Sequence, residues 1–189
     1  MKPLSLVRTH KQRYILALGL AVLLALMWWL NTSRVESAKL PDFKIIRDIP
    51  ELKTRFFGFL EPLAKAANQA VLDDRDWLLQ LKAELDKGKQ PGWIKQRSLN
   101  HIADRYGLDD KESAPSELVK QLLLRVDTIP ISLILVQAAA ESGWGRSRFA
   151  RQGNNLFGEW CYTKGCGLVP KNRPVGATHE VKAFNRPYD

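Results

Sequence analysis

Apolar side chains recur at spacings of three and four residues along much of the chain, and this period predicts helices. The first such stretch covers residues 51–88 and carries an apolar stripe that includes Phe56 and Leu63. Because Pro62 interrupts the stretch, a second helix start near residues 73–76, where three aspartates could cap it, is an open alternative. The pattern predicts one long helix or two shorter ones in this region.

Three further helices follow from the same pattern. An amphipathic helix is predicted over residues 93–107, with Gly107 as its stop, and the next one has Ser116 as the candidate N-cap. The helix after it is expected to begin near Pro130 and to end at Gly143. Since that last segment is apolar almost all round, we expect it to be buried.

The helical period is lost after Phe149, where glycines, asparagines and aromatic residues dominate. Residues 167–170 and 178–184 read as two short strands, with a turn between them near residues 173–176. The sequence therefore predicts a mainly α protein of the α+β type, with a small β-hairpin lobe near residue 189.

The N-terminal region holds twenty consecutive uncharged residues, 14–33, behind a basic segment. This length suffices for a helix to cross a bilayer, and the basic flank places residues 1–13 in the cytoplasm as a short tail. A cleaved signal peptide is the alternative. Both interpretations export the rest of the chain.

Charge is distributed unevenly, within a formal total of +9. Residues 34–130 are nearly balanced, which argues against a nucleic-acid partner because no long basic stripe is present. Residues 131–189 hold 8 basic and 4 acidic side chains. That excess suits an anionic partner, although a generic basic surface would show it as well.

The cysteines are few and close together. Cys161 and Cys166 are the only 2 in the chain, and the 3 histidines are scattered, so no metal-ligand set or cofactor site is predicted. In an exported protein such a pair is expected to form a disulfide.

One carboxyl group has an unusual position. Glu141 stands at the C-terminal end of the predicted apolar helix, where the helix dipole and apolar neighbours both favour a neutral acid. A neutral carboxylic acid is what a general acid catalyst requires. An ordinary surface glutamate near a helix end is the alternative.

A cluster of amides and aromatic rings follows that helix. Its members are Asn154, Asn155, Phe157, Trp160 and Tyr162. Sugars bind such surfaces, because their C–H faces stack on rings while amides hold their hydroxyls. A small loop core with capping asparagines would contain the same residues.

Two segments carry a family resemblance. Glu-Ser-Gly-Trp-Gly at 141–145, followed by Asn-Leu-Phe-Gly at 155–158, closely resembles the signature of the peptidoglycan glucosaminidase family, whose members are endo-β-N-acetylglucosaminidase-like. Within it, the N-terminal anchor and the segment "GEWCYTKGCGLVP" look like the Bax-type bacterial membrane proteins.

The resemblance implies a lysozyme-like helical domain over residues 115–189, preceded by a linker and helical stalk over residues 34–114. It implies that Glu141 is the general acid and that Trp144 and the amide-aromatic cluster line a groove for peptidoglycan glycan strands. It also implies an anchor in the bacterial inner membrane with the catalytic domain in the periplasm. Because family members continue with further helices, we expect the domain to be incomplete at its C-terminal end.

The second catalytic group is left open by the sequence. Glycoside hydrolases commonly use two carboxylates, and Glu180 on the predicted hairpin is one candidate. Glu159 and the N-acetyl group of the substrate are the others. Without a second acid, a non-catalytic wall-binding or scaffold protein is the alternative function, whereas an amidase lacks a supporting set of residues. Protein partners are not indicated.

Overall fold

The computed structural model describes residues 10–108 and 113–189. Within these ranges helices dominate and three short strands form one small sheet, which confirms a mainly α fold with a small β lobe. The helices are α1 (His10–Glu36), α2 (Ile49–Leu85), α3 (Trp93–Arg105), α4 (Pro115–Leu123), α5 (Ile131–Ser142) and α6 (Arg148–Gly153), with a 3-10 turn at Phe43–Ile45. The strands are β1 (Trp160–Cys161), β2 (Gly167–Leu168) and β3 (Glu180–Lys182).

Helix α2 is a single helix of 37 residues, so the alternative of a second start near residues 73–76 is wrong. Its N-cap is Asp48, whose side chain accepts a hydrogen bond of 2.8 Å from the backbone N–H of Glu51. Pro62 lies inside the helix, where it removes one backbone hydrogen bond. Leu60 and Leu63, on either side of it, are both buried, and this packing holds the helix together across the proline.

Two apolar cores flank α2 at its two ends. The C-terminal half contributes Leu78 and Leu81 to a core shared with α3 and α4. The N-terminal half contributes Leu52 and Phe56 to a core shared with α5, α6 and the 3-10 turn. Residues on both sides of position 115 therefore contribute to each core. The predicted boundary at 115 divides the sequence but separates neither core.

Of the predictions for the N-terminal region, only the presence of a helix is confirmed. Helix α1 covers residues 14–33, while residues 1–9, most of the predicted cytoplasmic tail, lie outside the described part of the chain. Among the described residues, no helix combines the length and the apolar character needed to cross a bilayer. The predicted transmembrane anchor is thus not supported.

Two details of the later helices correct the predictions. Helix α4 has Ala114 at its N-cap position and Pro115 in its first turn, so Ser116 is not the cap. Helix α5 begins after Pro130 and ends at Gly143 as expected. It is not buried all round, because Leu133 is 47% exposed and Val136 is 59% exposed. Its buried face near the C-terminal end consists of small side chains, which allow α5 to approach α2 closely.

The β lobe has one strand more than predicted. Strands β2 and β3 pair antiparallel, with Leu168 opposite Val181, as the predicted hairpin requires. Strand β1 pairs with the other edge of β3, which gives the order β1-β3-β2. Gly167 is required by this arrangement, because a β-carbon there would lie 2.0 Å from the carbonyl oxygen of Val181.

Candidate functional site

The segment Glu-Ser-Gly-Trp-Gly forms the C-terminal end of α5 and the turn after it. Gly143, Trp144 and Gly145 all have positive φ angles, of 57°, 60° and 72°. The buried hydroxyl of Ser142 donates to the carbonyl of Ala138 at 2.5 Å and accepts from the N–H of Gly145 at 2.7 Å. Ser142 therefore stabilises the turn, because its hydroxyl both donates to and accepts from the backbone.

The same turn binds the 3-10 segment near residue 43 to the C-terminal half of the chain. A β-carbon at Gly145 would lie 2.7 Å from the ring of Phe43, so only glycine lets that ring pack here. The guanidinium of Arg146 donates to the backbone carbonyls of Phe43 and Ile46. These contacts explain why glycine and arginine follow Trp144 in the sequence.

Trp144 is half-buried and packs edge-to-face on two rings of α2. Its ring centroid lies 5.8 Å from that of Phe56 and 5.3 Å from that of Phe57. The ammonium of Lys53 stands 5.6 Å from its ring centroid. Packing of α5 against α2 thus occupies much of Trp144, and its predicted contact with a glycan gains no support from this position.

Glu141 is exposed at the end of α5, so the apolar surroundings expected from the sequence are absent. Its carboxyl group faces the second half of the family motif. A β-carbon placed on Gly158 would stand 3.7 Å from Oε2 of Glu141, which shows that the two halves of the motif meet at this carboxyl. Gly158 itself has a φ of +68°, a conformation that favours glycine.

The two asparagines hold loops together. Asn155 is buried, and its amide donates to the carbonyls of Glu159 and Lys182 at 2.9 and 2.8 Å. Its oxygen accepts from the N–H groups of Phe157 and Glu159. Asn154 caps α6 with a φ of +50° and donates to the carbonyl of Phe184 at 3.0 Å. Both amides contact the backbone, as the capping alternative describes, and so hold the loops around the site, while their contact with a sugar stays a prediction.

Three predicted aromatic residues do lie on the surface. Phe157 is 47% exposed, Trp160 54% and Tyr162 69%. The ring of Trp160 stacks on that of His179, with centroids 4.3 Å apart and 12° between the planes. Sequence reasoning missed His179, because its proximity to Trp160 depends on the unpredicted pairing of β1 with β3.

Glu180 is buried, and each oxygen of its carboxylate accepts a hydrogen bond from the neighbouring loop. One oxygen accepts from the N–H of Gly165 at 3.0 Å and the other from the N–H of Gly167 at 2.9 Å. These two backbone hydrogen bonds hold the pKa of the Glu180 carboxyl below its usual value. This geometry argues against Glu180 as a second catalytic carboxylate and assigns it to the support of the loop.

That loop is closed by the disulfide between Cys161 and Cys166, as predicted. Glu159, the other acidic candidate, lies just before β1 and pairs with the ammonium of Lys182 at 2.7 Å. A small cavity of about 150 Å³ beside the motif is lined by Asn155, Phe157 and Tyr188, among others. Within residues 10–108 and 113–189, no three acidic, histidine or cysteine side chains cluster as a metal site would require.

Comparisons with known proteins bear on the same region. Residues 116–189 match the glucosaminidase family model, described as mannosyl-glycoprotein endo-beta-N-acetylglucosaminidase. The chain is also 34% identical, over 142 residues, to Protein bax of Escherichia coli strain K12. That match covers 74% of this chain and 50% of the relative, so the chain spans half the length of that protein. No solved structure matches the chain significantly. The two matches show that residues 116–189, which contain the motif that meets at Glu141, are similar to the glucosaminidase family, and that the chain resembles a Bax-type protein.

Proposed function

We propose that the chain is a peptidoglycan hydrolase in which Glu141 donates a proton to the glycosidic oxygen. The observation that carries the proposal is the position of Glu141: an exposed carboxyl at the end of α5, beside Gly158, which follows the exposed Phe157 in the chain. Trp160 in β1 and Tyr162 just after it are two further exposed aromatic residues. The family match supports a glycan as the substrate.

The proposed step is protonation of the leaving group. Glu141 gives its proton to the oxygen between two sugars, and the bond from that oxygen to the anomeric carbon breaks. A bound glycan would cover the exposed carboxyl and displace water from it. After cleavage the Glu141 carboxylate accepts a proton from the attacking water.

The anomeric carbon, which becomes carbocation-like as this bond breaks, also needs a nucleophile. Glu180 is an unsuitable one, because backbone N–H groups occupy both of its oxygens. Glu159 is engaged with Lys182, and its release would cost that ion pair. We therefore favour attack by the N-acetyl oxygen of the substrate on its own anomeric carbon, which is followed by opening with water. This route fits cleavage of the β-1,4 bond after N-acetylglucosamine.

The test is digestion of purified peptidoglycan by the full chain, with mass spectrometry of the fragments. We expect fragments that end in reducing N-acetylglucosamine, absent with Glu141→Gln and present with the matched surface variant Glu117→Gln. Reducing N-acetylmuramic acid ends would refute the bond assignment and retain the hydrolase. No fragments from a folded wild-type chain that still binds the wall would favour the alternative of a wall-binding scaffold.

The place of action is part of the same proposal. A disulfide between Cys161 and Cys166 suits an oxidising compartment, and the proposed substrate lies outside the cytoplasm. We propose that residues 34–189 act in the periplasm of a bacterium. Protease added to cells with a permeabilised outer membrane should degrade residues 34–189, and full protection would contradict this location.

A further inference from the structure

A second concave surface lies between α2 and α3, and it shares no residue with the site around Glu141. This groove measures about 640 Å³, which is within the range of ligand sites. We call it the α2–α3 groove. It is lined by Asp73, Asp74, Trp77, Trp93, Ile94, Arg97, Ser98, His101 and Ile102.

Aromatic and polar residues line the groove at a regular helical spacing of four residues. Trp93, Arg97 and His101 follow one another at intervals of four on α3, so they form one stripe along the helix. Trp93 is 75% exposed although it is the first residue of a well-packed helix. Across the groove, Asp73 and Trp77 are also four residues apart on α2. Trp77 packs partly against the core, which fixes the orientation of its ring.

Several of the polar groups in the groove are available to a ligand. Asp74 is engaged by Arg105 at 2.7 Å, whereas Asp73 accepts one hydrogen bond, from the amide of Gln69. Arg97 is exposed, and within the described residues it makes no hydrogen bond or ion pair. Its guanidinium presents five donors in a planar fork, a geometry that matches the two oxygens of a carboxylate partner.

We propose that the α2–α3 groove binds a glycan that carries a carboxylate, and so gives the chain a second contact with its polymer. The choice of a glycan rests on the proposed function. The Trp93 ring would stack on a sugar face, Asp73 would accept from hydroxyls, and Arg97 would pair with the carboxylate. A docked apolar helix suits the groove poorly, because Asp73, Arg97 and His101 interrupt its apolar surface.

The experiment uses the full chain with Glu141→Gln, labelled with ¹⁵N, so that the probe is not cleaved. The 6 tryptophans give separate indole N–H signals, assigned by single Trp→Phe variants. The probes are a tetrasaccharide of alternating N-acetylglucosamine and N-acetylmuramic acid, and the uncharged tetramer of N-acetylglucosamine. Trp29 is an exposed indole outside both sites and serves as the internal control.

We expect the signals of Trp93 and Trp77 to move on titration with the acidic probe, while that of Trp29 stays in place. Arg97→Ala should weaken binding of the acidic probe at Trp93 about tenfold and of the uncharged probe less than about twofold. Lys87→Ala, which removes an exposed charge outside the groove, should change neither affinity.

An unmoved Trp93 signal, or an Arg97→Ala variant with unchanged affinity for the acidic probe, would overturn the proposal. This binding experiment and the test of the proposed function can give different results, because the latter measures cleavage by the unmodified chain. Cleavage without movement at Trp93 would refute the groove alone. Movement at Trp93 in a protein whose wild type cleaves nothing would retain the groove and refute the hydrolase.

Discussion

At the scale of single residues, the family motif divides into one exposed carboxyl and a set of structural groups. Ser142, Gly145 and Asn155 are buried and make contacts that only their residue types allow. Within the described ranges Glu141 makes no hydrogen bond or ion pair, and its carboxyl lies beside Gly158. The sequence predicted the position of Glu141 but not its exposure, since packing of small residues on α5 leaves the other face of that helix open.

Gly145 should be among the least replaceable residues of the motif. Gly145→Ala adds the strain of a positive φ, about 1–2 kcal/mol, and a clash with Phe43 that costs about 1–3 kcal/mol more. Gly88→Ala is the matched control, because its φ is also positive, +75°, and its surroundings are open. Urea unfolding should show a larger loss for Gly145→Ala, and equal losses would argue against the packing of Phe43 on this turn.

Glu180 should make the stability of the β lobe depend on pH. The pKa of the folded-state Glu180 carboxyl is lowered by two backbone N–H groups, so its contribution to stability is full above the ordinary glutamate pKa of about 4.5 and is lost as pH falls through the lower folded-state pKa. Glu180→Gln should therefore be less stable than wild type near pH 7, with a difference that shrinks below about pH 4.5. Thermal unfolding at several pH values measures this, and a difference that does not change with pH would contradict the assigned hydrogen bonds.

At the scale of elements, local signals predicted most helices but not the contacts between distant segments. The apolar period placed α2, α3 and α5 closely, and glycine marked the end of α5 at residue 143. The sequence did not predict strand β1, because it has only two residues and is a strand only through its pairing with β3. For the same reason, the stacking of Trp160 on His179 could not be derived from the sequence.

Substitution of Pro62 tests whether α2 is continuous through this position. Pro62→Ala restores a backbone donor inside a helix, where proline costs about 3 kcal/mol relative to alanine. We expect the variant to be more stable by about 1–3 kcal/mol, as measured by denaturant unfolding. Pro91→Ala, in the turn before α3, is the control and should give no such gain. A loss of stability in Pro62→Ala would indicate a helix break that requires proline.

At the scale of the whole molecule, residues before 115 contribute more than a spacer. Helix α2 supplies both cores, and Phe43 packs under the motif turn beside Gly145. The family region at 116–189 therefore packs directly on α2, which shares an apolar core with α5. The sequence suggested a separate stalk because its amphipathic stripes reveal a buried face but not the partner that covers it.

The central claim is that Glu141 supplies the catalytic proton. The most direct measurement is the rate at which new reducing ends appear in purified peptidoglycan, for wild type, Glu141→Gln and Glu159→Gln at equal wall occupancy. General acid catalysis contributes about 10²–10⁴-fold, so we expect Glu141→Gln to be slower by that factor while it binds the wall as wild type does. Glu159→Gln should stay within about tenfold of wild type if the N-acetyl group is the nucleophile. A Glu141→Gln variant that cleaves as fast as wild type would contradict the account.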